Sequence, residues 1–214
     1  MSQPKTTLIL FAVKEEAKFF GPLAASRPEL RILLTGMGRR NAERTTRAAL
    51  QELRPELVLS AGFAGGLRPG LVSGAVLFDA TDKALATRLK DAGAEPGRFH
   101  CGERVASTVA EKQTLWQSTG ADAVEMESQI ICGICQAQGI AHATVRVILD
   151  PAEEDLPLDF NRLMTPDQRL DGRKLALELM KSPGKVAALM RLRKQSEAAA
   201  KKLAEVLWRA VEAK

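Results

Sequence analysis

Short apolar runs rich in leucine, isoleucine and valine recur along the chain, and segments with a helical pattern separate most of them. Runs of this length are typical of buried strands. They are Thr6–Val13, Leu30–Leu34, Glu56–Ala61, Gly74–Phe78 and Ala143–Leu149. Because strands that alternate with helices form sheets covered on both faces, the sequence predicts a three-layer α/β/α fold with a central mixed, largely parallel sheet. We expect its 214 residues to form a single domain, 1–214.

Glycine and proline indicate where this pattern is interrupted. Gly62–Leu67 is rich in glycine but lacks the Lys-Ser or Lys-Thr of a Walker phosphate loop, so we expect a loop that packs beneath a sugar or base. Pro151–Asp171 is polar and contains several prolines, and loops of this length are often lids or binding loops. A strand-like return is predicted over Phe99–Thr108. A long amphipathic helix is predicted over Val186–Ala210, after a break at 182–184.

Acidic side chains occur where the predicted strands give way to helices. Glu16 follows the first apolar run, Glu125 and Glu127 flank Met126 just before a helical segment, and Asp150 ends the last run. Open α/β sheets bind ligands outside the strand ends, so these residues are candidates for a site. A carboxylate at a helix N-terminus is also stabilised by the helix dipole, so capping explains Glu16 and Glu127 as well. Asp150, which precedes a proline, would equally suit a turn.

The cysteine and histidine content gives no support to a disulfide framework or a zinc site. Cys101, Cys132 and Cys135 are too few for a disulfide-stabilised fold. Cys132 and Cys135 lie within an apolar helical run, where we expect small buried packing residues and not a redox pair. The two histidines are far apart in the sequence, so no metal ligand set is predicted, and no organic cofactor is implied.

The net charge of +5 comes largely from basic residues after Arg162. These residues are first expected to form a solvated helix face. Nucleic-acid binding is not predicted because aromatic residues are not interleaved with them, whereas attraction to anionic lipid or substrate stays an alternative. The N-terminus lacks the charged start of a signal peptide, and its apolar run is too short to span a bilayer. We therefore expect a cytoplasmic protein without an integral membrane segment.

Four segments in this order resemble the nucleoside phosphorylase superfamily, and within it the methylthioadenosine/S-adenosylhomocysteine nucleosidases. They are Ala12–Glu16, Ala61–Leu67, Ala123–Glu127 and Val145–Asp150. The motifs Asp150-Pro151-Ala152 and Asp155-Leu156-Pro157, with the basic leucine-rich tail, are most similar to a short hopanoid-associated branch. That branch is implied to remove adenine from adenosylhopane.

The resemblance implies a nucleosidase that hydrolyses the N-glycosidic bond of a purine nucleoside. Such cleavage passes through an oxocarbenium-like sugar, and the base leaves readily only when it is protonated. The resemblance gives proton donation to Asp150, binding of the ribose hydroxyls to Glu127 and activation of water to Glu16.

The same resemblance gives supporting roles to five further residues. Arg146 would orient the water or a neighbouring carboxylate, although a structural ion pair is the alternative. Glu125 and Met126 would line the ribose, and Phe63 and Gly65 would lie beside the sugar. Phe63 stands where the family usually has serine, which predicts a more apolar sugar pocket.

Two further departures from the family bear on the substrate. Leu149 stands before Asp150 where a small polar residue is common, which predicts different support for that acid. The segment from Asp79 to Val105 is shorter than in the methylthioadenosine enzymes, which suits an enlarged or apolar site for the 5'-substituent. A phosphorylase that holds phosphate at Gly36, Gly38 or Arg39, and an inactive nucleoside-binding relative, are the alternatives to hydrolysis. The family also implies a homo-oligomer, for which we expect a dimer.

Overall fold

The computed structural model describes residues 6–168, 171–181 and 184–212, and its eight strands belong to one sheet. The strands are β1 Thr7–Phe11, β2 Leu30–Leu34, β3 Leu57–Gly66, β4 Val76–Ala80, β5 Glu95–Pro96, β6 Phe99–Cys101, β7 Ala123–Glu125 and β8 Ala141–Asp150. The helices are α1 Lys14–Ala17, α2 Phe20–Ala24, α3 Arg39–Leu53, α4 Lys83–Asp91, α5 Val109–Thr119, α6 Ser128–Ala137, α7 Phe160–Leu163, α8 Gly172–Lys181 and α9 Lys185–Glu212.

The main path of the sheet has the strand order β2-β1-β3-β8-β4-β5, and β7 and β6 extend it from the end of β3. Most neighbouring strands are parallel, whereas β3–β7 and β4–β8 are antiparallel. The predicted mixed, largely parallel sheet is therefore confirmed. The parallel strands β1, β3 and β8 end at one edge of the sheet, where the motif residues follow them.

Helices cover both faces of this sheet. Side chains alternate between the faces along each strand, so β1 sends Ile9 and Phe11 towards a core that includes Leu203 and Leu207 of α9. Its Leu8 and Leu10 enter the opposite core with residues of α3 and α6, including Ile131. The three predicted layers follow from this division.

The glycine-rich segment 62–67 is not the loop that the sequence predicts. Strand β3 continues through Gly66, and its residues stay paired with β8 up to Gly65 opposite Asp150. Glycine weakens a strand interior, but it also allows other groups to approach the backbone closely. Gly62 shows this need, because a Cβ there would lie 2.5 Å from Glu16 Oε1 and 2.9 Å from Arg146 Nη1.

Two other sequence predictions were wrong in part. The strand predicted over Phe99–Thr108 ends at Cys101, and helix α5 (Val109–Thr119) follows where no helix is predicted. The loop Pro151–Asp171 contains the short helix α7. Of the predicted break at 182–184, residues 182 and 183 lie outside the described residues, and α9 begins at Lys185.

Candidate active site

A buried arginine on β8 organises three carboxylates. Arg146 is 2% exposed, and its Nη2 lies 2.7 Å from Oε2 of Glu125 and 3.5 Å from Oε2 of Glu127. The same nitrogen donates a hydrogen bond to Ser60 Oγ at 3.2 Å. Burial opposes the charged guanidinium, but Glu125, Glu127 and Glu16 outweigh it and raise the pKa of Arg146. Three carboxylates thus share one permanent cation.

Glu125 caps helix α6. Its Oε2 accepts hydrogen bonds from the backbone N–H groups of Glu127 and Ser128, and its Oε1 accepts one from Ser128 Oγ. Burial favours the neutral acid, but the Arg146 charge and these hydrogen bonds outweigh it and lower the pKa of Glu125. Glu125 is therefore a fixed anion.

Glu127 occupies the N-cap position of α6 without making a side-chain cap, so the capping explanation for it fails. Its Oε1 instead accepts a hydrogen bond at 2.7 Å from the N–H of Gly38, immediately before α3. Burial raises the pKa of Glu127 to about 7, against the attraction of Arg146 and with repulsion from Glu125 and Glu16. Glu127 therefore gains or loses its proton near neutral pH.

Glu16 joins the turn after β1 to the middle of β3. Its Oε2 accepts hydrogen bonds from the N–H groups of Ala12 and Val13, and its Oε1 accepts one from the N–H of Phe63 at 2.8 Å. Burial raises the pKa of Glu16, although the Arg146 charge acts in the opposite direction. Glu16 thus serves the helix start and reaches the carboxylate cluster as well.

A second buried ion pair lies at the end of β8. Lys112 on α5 has no exposed surface, and its Nζ lies 2.6 Å from Oδ2 of Asp150. The same ammonium donates hydrogen bonds of 2.7 Å to the carbonyl oxygens of Pro151 and Glu154. Burial raises the pKa of Asp150 to about 6, even though the Lys112 charge lowers it.

The two groups lie along the same strand, β8. Arg146 and Asp150 are four residues apart on β8, so their Cα atoms lie at most about 13 Å apart at roughly 3.3 Å per residue, and the register with β3 shifts just before Asp150. Beside Asp150, a Cβ at Gly65 would lie 3.3 Å from Oδ2, so glycine keeps the approach to this carboxylate open. A ligand can therefore meet a carboxylate cluster at one end and a single acid at the other.

Phe63 and Met126 occupy less central positions. The N–H of Phe63 reaches Glu16, but its side chain packs against the α9-side core, on the sheet face opposite Arg146. Met126 lines an open cleft of about 420 Å³ together with residues after β6 and around α7 and α8. The lining residues include Arg104, Asn161 and Gln168. Phe63 therefore contributes its backbone to the site, and Met126 faces a neighbouring cleft.

A family model described as the phosphorylase superfamily matches residues 16–78 and 75–181. The chain belongs to this superfamily. Its relatives include the 5'-methylthioadenosine/S-adenosylhomocysteine nucleosidase of Glaesserella parasuis serovar 5, which is 25% identical over 199 residues and is matched over 77% of this chain and 84% of its own length.

Solved structures of similar proteins have the same fold. Futalosine hydrolase of Helicobacter pylori strain 26695 aligns with a TM-score of 0.75 at 18% identity, over 98% of each chain. The Helicobacter pylori 5'-methylthioadenosine/S-adenosylhomocysteine nucleosidase, determined with butyl-thio-DADMe-Immucillin-A, also gives a TM-score of 0.75 at 18% identity, over 99% of each chain.

In this member of the phosphorylase superfamily, the structure brings together most of the residues that the sequence singles out. Glu16, Glu125, Glu127 and Arg146 form one cluster, and Asp150 lies at the end of the strand that carries Arg146, with Gly65 beside it. Lys112 was missed, because no helix was predicted around it and a lysine is rarely fully buried. It supplies the support for Asp150 that Leu149 does not, since Leu149 packs against the α9-side core.

Proposed function

We propose that the chain is a purine nucleoside N-ribosyl hydrolase that releases adenine from a 5'-substituted adenosine. Membership of the superfamily and the nucleosidases among its relatives support this reaction. The observation that carries the proposal is the placement of a buried acid, Asp150, at the end of the strand that also carries Arg146, apart from the carboxylate cluster around that arginine. The candidate 5'-substituents are those of methylthioadenosine, S-adenosylhomocysteine and adenosylhopane.

Asp150 is suited to protonate the leaving purine. A general acid works best when its pKa lies near the working pH, and burial raises the pKa of Asp150 to about 6. When the bond between C1' and the purine nitrogen breaks, the electron pair goes to the base and the Asp150 proton goes to a ring nitrogen. The Lys112 ammonium, 2.6 Å away, then stabilises the carboxylate that remains.

The carboxylate cluster is suited to the sugar. Positive charge develops on the ribose in the transition state, and fixed negative groups in a site with little water stabilise such charge strongly. Glu127 would accept hydrogen bonds from the ribose hydroxyls. Glu16 would take the proton of the attacking water, and its raised pKa makes it a stronger base than an ordinary carboxylate.

Hydrolysis fits the cluster better than phosphorolysis does. The N–H of Gly38 is already bonded to Glu127, and the N–H of Gly36 is bonded to the Ala12 carbonyl oxygen. Arg39 is exposed at the start of α3. A phosphate here would meet three carboxylates and one buried guanidinium, so like-charge repulsion opposes its binding.

Release of free adenine from each candidate nucleoside, measured with and without inorganic phosphate, tests the proposal. Hydrolysis predicts adenine and a free 5-substituted ribose at the same rate in both conditions. Strict dependence on phosphate, with a ribose 1-phosphate as product, would establish the phosphorylase alternative. Tight nucleoside binding without adenine release, unchanged in Asp150→Asn, would identify an inactive relative.

We also propose that the protein is a cytoplasmic homodimer, as the family resemblance implies. Sedimentation equilibrium of the full chain measures the assembly directly. A mass of one chain at micromolar concentration would contradict the dimer, and recovery of the protein on the outer side of the cell membrane after fractionation would contradict the location.

A further inference from the structure

Helix α8 and the first half of α9 lie outside the hydrophobic core. We call α8 together with residues 185–198 the arm. None of its described side chains is buried, whereas α9 enters the core from Ala199 onwards. The α9 part of the arm has 14 residues and a length of about 21 Å at roughly 1.5 Å per residue. The ion pair between Lys185 and Glu178, at 3.0 Å, links the two helices.

The arm exposes large apolar side chains. It carries half of the eight large apolar residues that are exposed in the described parts of the chain. They are Leu177 at 53%, Met180 at 81%, Val186 at 43% and Met190 at 61%. Single exposed apolar residues are common, but a group of them on two consecutive helices marks a surface that binds something.

The arm also accounts for the net charge of the protein. Residues 172–198 contain seven basic and two acidic residues, a net charge of +5, and the net charge of the whole chain is +5. The remaining sequence is therefore neutral overall. Five of the basic side chains are exposed, namely Arg173, Lys174, Arg191, Arg193 and Lys194.

Apolar and basic residues follow each other at helical spacing. Leu177 lies four residues after Arg173 and three residues before Met180. Arg193 and Lys194 lie three and four residues after Met190. Residues so spaced lie on the same side of a helix. Long basic side chains beside large apolar ones suit the boundary between lipid headgroups and acyl chains.

The charge decides between the possible occupants of this surface. A second copy would bring an equal positive charge against the arm, which repulsion disfavours. A nucleic acid would satisfy the charge but would leave the leucine and methionine side chains without apolar contacts. An anionic bilayer satisfies both, because acidic headgroups attract the arginines and lysines while the acyl region accepts the apolar groups.

We propose that the arm docks the protein onto the surface of an anionic lipid bilayer. This attachment would be peripheral, since none of the described helices is long and apolar enough to cross a membrane. Lys174 of the arm also lines the cleft beside Met126, so the docked surface would lie next to the carboxylate cluster. The inference goes beyond the proposed hydrolysis and does not depend on it.

Co-sedimentation of the full chain with vesicles tests the docking. We expect the protein to pellet with vesicles of equal parts phosphatidylcholine and phosphatidylserine, and to stay in the supernatant with pure phosphatidylcholine. Added salt should release it, because the attraction is screened. The double variant Met180→Ser, Met190→Ser should lower the partition coefficient of the protein between vesicles and buffer about tenfold. The control Val72→Ser, at a residue that is 67% exposed and lies outside the arm, should leave this coefficient unchanged.

The charge contribution is measured with a second pair of variants. The double variant Arg173→Gln, Arg191→Gln should lower the partition coefficient about 25-fold, because each basic residue near an anionic surface raises that coefficient by roughly a factor of five. The control is Arg31→Gln, an exposed residue on β2. Circular dichroism and adenine release from a soluble nucleoside check that the variants are folded.

Three results would overturn the docking proposal. The first is failure of the wild-type chain to pellet with either vesicle. The second is equal pelleting by the arm variants and their controls. The third is a wild-type dimer that does not bind vesicles and that the Met180→Ser, Met190→Ser substitutions convert to a monomer. That result would show that the arm contacts a second copy of the chain. In each case, unchanged adenine release would leave the proposed hydrolysis intact.

Discussion

Glu125 and Glu127 face the same guanidinium, but their replacement by glutamine should change stability in opposite directions. Burial raises the pKa of Glu127 from its ordinary value of 4.5 to about 7. The ionised side chain is therefore less favourable in the folded state than in the unfolded chain. Stability is lost as the pH rises from about 4.5 to about 7, and the loss is complete above that range.

The size of this loss follows from the two pKa values of Glu127. At about 1.4 kcal/mol for each tenfold change in an equilibrium constant, the difference between about 7 and 4.5 corresponds to about 3 kcal/mol. Glu127→Gln keeps an oxygen for the Gly38 N–H and removes the charge. It should therefore increase the free energy of unfolding by up to about 3 kcal/mol near pH 8, and by much less near pH 5.

The matched control is Glu125→Gln. The pKa of Glu125 is lowered, so its ionised form stabilises the folded state above the unfolded pKa, and that stability is lost as the pH falls. The neutral amide should therefore destabilise the protein near pH 8. It would also lose the 2.7 Å ion pair with Arg146.

Urea unfolding of the wild type and both variants, near pH 8 and near pH 5, measures these effects. Adenine release should fall in Glu127→Gln although the protein becomes more stable, because the proposed ribose ligand is altered. A Glu127→Gln variant that is less stable than the wild type near pH 8, or equally stabilised at both pH values, would refute the assignment of a costly buried charge to Glu127.

Three further substitutions test the rest of the site. Asp150→Asn cannot donate the proton and should lower kcat for adenine release about 10²–10⁴-fold in a folded protein, so near-normal kcat would exclude Asp150 as the acid. Lys112→Gln removes the cation that lowers the pKa of Asp150. We therefore expect kcat to fall and the alkaline limb of the pH–rate profile to move to higher pH. If that limb does not move, Lys112 has only a structural role. Gly62→Ala places a Cβ 2.5 Å from Glu16 Oε1 and should cost about 1–3 kcal/mol of stability with a loss of activity. The control Gly133→Ala, in open space on α6, should stabilise the protein by about 1 kcal/mol. Equal melting temperatures of the two variants would contradict the crowding at Gly62.

The strands with continuous apolar runs could be predicted from the sequence. Leu30–Leu34 matches β2 residue for residue, and the run that ends at Asp150 is β8. The β8 run is buried on both faces, whereas β2 at the edge of the sheet is buried only at Leu30, and in both cases the hydrophobic pattern identifies the strand. The order of motifs along the chain also indicated which strand ends meet, because parallel strands bring their carboxyl ends to one edge.

The end of β3, helix α5 and the role of Lys112 could not be predicted from the sequence, because glycines and polar residues gave misleading local signals. The end of β3 was predicted as a loop because glycine usually indicates a turn, and only the tertiary structure shows that Glu16 and Arg146 occupy the space above Gly62. Helix α5 has no apolar stripe, although the capping box of Thr108 and Glu111 could have revealed its start. The contact of Lys112 with Asp150 leaves no local signal, since it depends on how α5 packs.

The position of β8 in the sheet has a consequence for how the chain reaches its native state. β8 lies between β3 and β4, so the central pairing joins Leu57–Gly66 to Ala141–Asp150 across a long intervening stretch of chain. While the chain is being synthesised, β3 and β4 leave the ribosome before β8. Until β8 follows, the edges of β3 and β4 that it will cover are unpaired, and unpaired strand edges promote aggregation. Because pairings between distant segments form slowly, closure of the sheet by β8 should limit the rate of folding, and Arg146 can meet its three carboxylates only once that closure occurs.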